Sequence, residues 1–401
     1  MTEEDRYIAI RKKQADDLSS MFLSNQKEPI KNNKVVFSTF EGDGGYSCNP
    51  RYIAEEMIRR MGEGHNYELV WLTKDTSKVF PKQIRVVQYT PENLAYELST
   101  AKVWVDNYRK PYGTLKRPGQ IYIQTWHATI GFKAVGLYRG DKFPKIARIV
   151  SEYDSEMIDY MVSNSEYCKN VYPKKLLYTG PHLKAGSPRV DILINDRTNT
   201  KRNIKQKYGI PQDAKFVLFA PTFRGGNQKG KKEVISEIPS LDFDSLRENL
   251  ISKFGADWYI LLRLHPQLSA KLDEMPVNTK EEYMIDVSQA DDISELLAAC
   301  DLLITDYSSC AFDALFAKIP VLLYADDIKE YIDNRGTFMW KREELPFLIS
   351  ENNNELEQNI KAFDENLYRT SAQSFMEQHG VLEDGTASKK VVDLIDKYVK
   401  F

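Results

Sequence analysis

Cysteine is scarce. The 401 residues hold four, Cys48, Cys168, Cys300 and Cys310, and no two of them form a C-x-x-C pair. That spacing excludes a zinc ribbon, a redox dithiol and a secreted disulfide framework, and it fits a reducing cytoplasm. Long apolar runs are missing too. No stretch approaches the roughly 18 to 20 apolar residues of a membrane span. The N-terminus, MTEEDRYIAIRKKQADD, carries charge where a signal peptide needs an apolar core. These absences describe a protein that is soluble or held at a membrane surface. Three signatures fail to appear as well: G-x-G-x-x-G, a Walker loop ending in Gly-Lys-Ser/Thr, and H-E-x-x-H. No repeat of 20–50 residues and no low-complexity tract interrupts the chain.

What is present suits a globular enzyme. At 42% hydrophobic and 28% charged residues, with 23 Tyr, the chain is long enough for two domains with cores that need no staples. Net charge is −3, but residues 109–148 carry nine bases (Arg109, Lys110, Lys116, Arg117, Lys133, Arg139, Lys142, Lys145, Arg148) against the single acid Asp141. A segment of +8 in a chain that is otherwise −11 reads either as a solvated basic face or as a contact for an anionic partner.

Short apolar strands alternate with helices. A helix is expected at 5–23 and a polar linker at 25–33. Strands follow at 34–40 (KVVFSTF), 67–73, 84–88, 102–107 and 120–125. A second series has strands at 215–220, 258–264 (WYILLRL), 302–305 (LLIT) and 321–324, with helices between; helices at 355–373 and 388–399 close the chain. Two such series predict two α/β domains with parallel sheets, whose ligands bind beyond the carboxyl ends of the strands. The expected division is 1–33 for helix and linker, 34–195 and 196–380 for the two domains, and 381–401 for a final helix packing back on the first.

Polar residues stand at those strand ends. LLIT runs into Asp306, Tyr307, Ser308 and Ser309 ahead of a helix, where a serine cap and free N–H groups suit a phosphate. Arg263 and His265 flank the end of WYILLRLHP, and APTFRGG places Thr222 and Arg224 after another strand. In the first series His127 follows QIYIQTW, with Lys133 nearby, and suits the acceptance of a proton from a hydroxyl nucleophile. Each feature has a plainer reading: serines as simple caps, histidines as structural groups. Three anion-binding strand ends in one series favour the functional one.

VVFSTFEGDGGYSCNPRYIAEEM, QTWHATIGFKAVG, SNSEY, GSPRVD, VLFAPTFRG, LLRLHP and DISELLAACDLLITDYSSCAFDALFAKIPVLLYADDIKEY occur in order. Together they resemble the CDP-glycerol glycerophosphotransferase family, which includes wall teichoic acid primases and polymerases and related capsule enzymes. The resemblance implies a GT-B fold, two doubly wound Rossmann-like domains facing a cleft. It implies transfer of a polyol phosphate from CDP-glycerol or CDP-ribitol to a lipid-linked or polymeric acceptor, with release of CMP, at the inner face of the bacterial membrane. It assigns His127 as a candidate base, His265 to the donor pyrophosphate, and Thr305, Ser308 and Ser309 to the donor-phosphate turn. Thr222, Arg224, Arg263, Asp306 and Asp313 join the expected donor set, and Lys133, Arg139, Lys142 and Lys145 the acceptor or anion-binding set. No metal or cofactor is expected beyond the donor, and no nucleic acid partner. The N-terminal helix is expected as a membrane or oligomer contact. Departures from the family pattern fall at Ala128 and Ile130 in the His127 loop and at 344–347 (ELPF), where the family has Pro-Gly. A glycosyltransferase using a UDP- or GDP-sugar, and a non-catalytic binder of anionic polymers, are the rival readings.

Overall fold

The fold is described from a computed structural model, which covers residues 2–222, 240–264, 281–335 and 337–400. Two compact units form. Unit 1 comprises Met1–Thr129, Ala134–Asp191 and His379–Phe401; unit 2 comprises Ile130–Lys133 and Ile192–Gln378.

Seven strands make the sheet of unit 1: β1 (Lys31–Ser38), β2 (Glu68–Thr73), β3 (Ile84–Gln88), β4 (Ala101–Asp106), β5 (Ile121–Gln124), β6 (Tyr160–Ser163) and β7 (His182–Lys184). Their order is β3-β2-β1-β4-β5-β6-β7, and every pairing is parallel. A parallel sheet covered by helices on both faces needs near-continuous apolar strands. Val35, Val36 and Phe37 in β1, and Val103, Trp104 and Val105 in β4, meet that need and are fully buried.

Unit 2 repeats the plan with β8 (Lys215–Phe219), β9 (Trp258–Leu262), β10 (Met284–Asp286), β11 (Leu302–Thr305), β12 (Val321–Tyr324) and β13 (Leu348–Ser350), in the order β10-β9-β8-β11-β12-β13, again all parallel. In both sheets the order reverses beside the first strand, between β1 and β4 and between β8 and β11. The crevice at such a switch point is where open parallel sheets take ligands.

Several elements depart from the pattern read in the sequence. β7, β10 and β13 are three-residue edge or near-edge strands, too short for a hydrophobic alternation to reveal. The helix expected over 355–373 is two helices, Asn353–Ala362 and Glu365–Gln378. Asp364 starts the second by accepting the Leu367 N–H on its side chain at 2.9 Å. The first helix, Glu3–Ser24, buries Ala15, Leu18 and Phe22 but leaves Tyr7 and Ile10 exposed, so only its second half packs.

Candidate active site

In unit 1 the switch point is polar and closed. Ser38 donates to the Asp106 carboxylate, and the Lys110 ammonium lies 2.7 Å from Asp106 Oδ2. The next residue after β4, Asn107, accepts the Phe40 N–H on Oδ1 at 2.9 Å; its buried Nδ2 has no partner among the described residues. His127, three residues beyond β5, places Nδ1 2.9 Å from the Asn107 carbonyl oxygen. A carbonyl can only accept, so Nδ1 carries the hydrogen and Nε2 keeps a free lone pair. The imidazole stacks on Trp126 (centroids 4.4 Å apart) and Tyr108 (5.8 Å), with Phe40 tilted against it at 5.1 Å. Burial in this aromatic cage, helped by the positive charges of Arg189, Lys175 and Arg109, pushes the His127 pKa down to about 3. The ring is therefore neutral at physiological pH and able to take a proton.

The loop that carries His127 is strained and held. Trp126 has φ +52°, and Phe40, Glu41 and Cys48 in the β1 loop also have positive φ. Such backbones persist only when their surroundings over-determine them. Here four successive carbonyls are each bound by a side chain. Asn49 Nδ2 donates to the Trp126 carbonyl at 2.9 Å and Arg189 to that of His127. Lys175 donates to Ala128 and Thr129 at 2.8 and 3.0 Å. Asn49 Oδ1 in turn accepts the Arg189 N–H at 3.0 Å. Lys175 is buried, which lowers its pKa to about 8. None of these three residues was singled out in the sequence. Asn49 and Arg189 do lie in the segments CNPR and GSPRVD that carry the family resemblance.

In unit 2, Thr305 at the end of β11 donates to the Ala220 carbonyl at 2.6 Å, and the Thr222 N–H donates to both Asp306 carboxylate oxygens at 2.8 and 2.9 Å. Thr222, Thr305 and Asp306 thus join the carboxyl ends of β8 and β11 across the switch point. Ser308 and Ser309 follow, half-buried. The expected serine cap takes a different form. Ser309 adopts helical angles (φ −63°, ψ −13°) and makes no side-chain cap, and Ser308 Oγ accepts the Cys310 N–H only at 3.5 Å. The Ala311 and Phe312 N–H groups already donate to the carbonyls of Ser308 and Ser309. The helix itself, Cys310–Phe316, is seven residues long, with Asp313 buried inside it. β9 stops at Leu262, and Arg263 follows it with its N–H on the Phe219 carbonyl at 2.9 Å. Its half-buried guanidinium makes no hydrogen bond or ion pair among the described residues, while burial depresses its pKa. His265 and Arg224 lie outside the described residues.

The basic segment is less free than its charge suggests. Lys110, Lys116, Lys145 and Arg148 pair with Asp106, Asp159, Glu4 and Glu152. Arg117 binds the carbonyls of Glu28 and Ser99. Lys133 belongs to unit 2, its ammonium 5.7 Å from the Tyr331 ring. Arg139 and Lys142 sit on the 3-10 segment Gly136–Lys142. No cluster of His, Cys, Asp or Glu suited to a metal ion occurs among the described residues, and no described helix is long and apolar enough to cross a membrane.

Comparison with known proteins gives these sites a setting. The family model described as CDP-Glycerol:Poly(glycerophosphate) glycerophosphotransferase matches residues 20–397. A teichoic acid poly(glycerol phosphate) polymerase of Staphylococcus epidermidis is 32% identical over 407 residues, covering 98% of this chain and 54% of the polymerase. The chain thus spans about half the length of that relative. A teichoic acid glycerol-phosphate transferase of Staphylococcus aureus is 31% identical over 402 residues, covering 97% of this chain and 99% of the relative. A variant of the wall teichoic acid polymerase TagF soaked with CDPG aligns with a TM-score of 0.80 at 27% identity, over 99% of this chain and 98% of that one. With a match over nearly its whole length, the chain belongs to the CDP-glycerol:poly(glycerophosphate) glycerophosphotransferase family.

Proposed function

We propose that this chain transfers glycerol phosphate from CDP-glycerol to a hydroxyl of a lipid-linked or polymeric teichoic acid acceptor, releasing CMP. In this reading it is a GT-B transferase with unit 2 as the donor half and unit 1 as the acceptor half. The observation that carries it is His127: a neutral imidazole with Nδ1 committed to the Asn107 carbonyl and the Nε2 lone pair left free, on a loop pinned at four carbonyls. The acceptor hydroxyl gives its proton to Nε2 as its oxygen attacks the β-phosphorus. The bond from that phosphorus to the bridging oxygen breaks, and CMP leaves with the electron pair.

Phosphoryl transfer is mostly positioning and charge stabilisation. Arg263, which makes no ion pair among the described residues, supports a role in binding the donor pyrophosphate, together with the turn at 305–309 and with His265 and Arg224 as the resemblance assigns them. The reaction is placed at the cytoplasmic face of the membrane, where the chain would act as a peripheral protein. The half-exposed helix Glu3–Ser24 is read as its contact there.

Incubation with CDP-glycerol, CDP-ribitol and common UDP- and GDP-sugars tests the reading by the nucleotide released. CMP from CDP-glycerol is expected; UDP or GDP release would select a glycosyltransferase instead. The variant His127→Ala is expected to lose on the order of 10²–10⁴-fold in CMP release at saturating donor, with donor binding nearly intact. Undiminished turnover would remove His127 as the base.

A further inference from the structure

Arg109 stands out once the basic segment has been sorted. Its guanidinium lies over the Trp126 ring, 4.9 Å from the centroid, on the same indole that stacks with His127. The side chain is half-buried and makes no hydrogen bond or ion pair among the described residues. The carboxyls nearest in charge are Asp154 and Glu41, and neither comes within ion-pair distance. Asp154 Oδ1 already accepts from the Lys110 N–H and the Tyr122 hydroxyl at 2.9 and 3.2 Å. Burial raises Asp154 to about 7, so it is not a full counter-charge near neutral pH, and burial raises Glu41 as well. Burial also lowers Arg109 itself, but a guanidinium stays protonated in proteins.

A desolvated charge left without a partner costs stability. The indole face offsets part of that cost, yet it leaves the in-plane N–H donors unsatisfied. Those donors form the planar fork that phosphate oxygens fit in pairs. We propose that Arg109 binds the phosphodiester of a polyol-phosphate acceptor beside His127, and so selects acceptors that already carry a phosphate-linked unit. This rests on the reading of His127 as the base for the acceptor hydroxyl.

The test compares wild type, Arg109→Gln and Arg109→Lys with CDP-glycerol and two acceptors: glycerophosphoglycerol, which has a phosphodiester, and a monoalkyl glycerol, which has none. A charge-assisted pair of hydrogen bonds predicts a rise of about tenfold or more in KM for glycerophosphoglycerol in Arg109→Gln. KM for CDP-glycerol and kcat/KM for the alkyl glycerol stay close to wild type, and Arg109→Lys falls between. Equal losses with both acceptors would reduce Arg109 to a structural role and overturn the proposal. A selective rise in KM for CDP-glycerol would assign the anion to the donor and overturn it equally.

Titration of glycerophosphoglycerol against tryptophan fluorescence in a His127→Gln background separates this inference from its premise. Binding that is present there and lost on adding Arg109→Gln supports Arg109 whatever the turnover. Persistent turnover in His127→Gln would sink the base assignment alone. If Arg109→Gln loses its cooperative melt, Arg109→Lys, which keeps the stacked charge, decides by the same ratio of the two acceptors.

Discussion

His127 holds its imidazole neutral by burial, and that has a consequence for stability as well as for catalysis. In the unfolded chain a histidine takes up a proton near pH 6.5, whereas in the folded protein this one resists until about pH 3. Between those values the unfolded state binds more protons, so stability falls as pH falls. At pH 5 this one group is expected to cost about 1–2 kcal/mol. The melting temperature of wild type should therefore drop more between pH 7 and pH 5 than that of His127→Gln; parallel curves would show that the ring is not desolvated. For the same reason protonation of His127 in the free enzyme should not set an acid limb of kcat/KM above pH 5. Arg263 offers a complementary test on the donor side. Arg263→Met should raise KM for CDP-glycerol about tenfold or more, the loss typical of a charge-assisted hydrogen bond, and leave the acceptor KM near wild type.

The loop at 126–129 shows what an element requires beyond its own sequence. Asn49→Asp is nearly isosteric: Oδ1 still accepts the Arg189 N–H, but the donor to the Trp126 carbonyl becomes a second acceptor facing it. Releasing that carbonyl at a residue with φ +52° should let the strained turn relax and carry His127 off line. The expectation is a loss of kcat of about tenfold or more with little change in donor KM, read from initial rates. Gly136 serves the same loop from behind. At φ +62°, a Cβ there would stand 2.4 Å from the carbonyl oxygens of Lys174 and Lys175. Gly136→Ala should cost at least about 2 kcal/mol and is checked by chemical denaturation.

The position of His127 just beyond a strand end was legible because it follows an apolar strand, and such ends are where parallel sheets display their ligands. Thr305 and Asp306 were legible for the same reason. The clamp was not, because Asn49, Lys175 and Arg189 come from three distant segments, and only the folded unit brings their donors to one loop. The helix-cap reading of Ser308 and Ser309 holds only in part, through the long Cys310 N–H to Ser308 Oγ contact, because cap propensity is a local average. Here Ser309 takes helical angles, and backbone carbonyls serve the first N–H groups.

At the scale of the molecule, the same sheet order is built twice, yet each unit borrows chain from elsewhere. Ile130–Lys133 belongs to unit 2, where Phe132 packs on Phe312, Phe338 and Phe347 and its carbonyl accepts the Met339 N–H at 2.8 Å. No periodicity in IGFK announces this, since its partners lie far along the chain. Unit 1 is closed by the returning segment His379–Phe401. The helix Ala387–Ile395 has no side-chain cap of its own; instead Asp191 accepts the Ala387 and Ser388 N–H groups at 3.0 and 2.8 Å. A carboxylate there also complements the positive end of the helix. Behind it Val391, Val392, Leu394 and Ile395 enter the core shared with β1, β2 and β4. Burying each such side chain contributes about 1.5–3 kcal/mol, so the four together supply roughly 6–12 kcal/mol. That is comparable to the whole stability of a typical domain, about 5–15 kcal/mol. A chain ending at Gln378 is therefore expected to lose unit 1 while keeping the core of unit 2. Hydrogen exchange read by mass spectrometry decides it: amides of β1 and β4 should lose protection while those of β11 and β12 keep it. Retained protection in β1 would mean that the first pass of unit 1 folds without its closing helix.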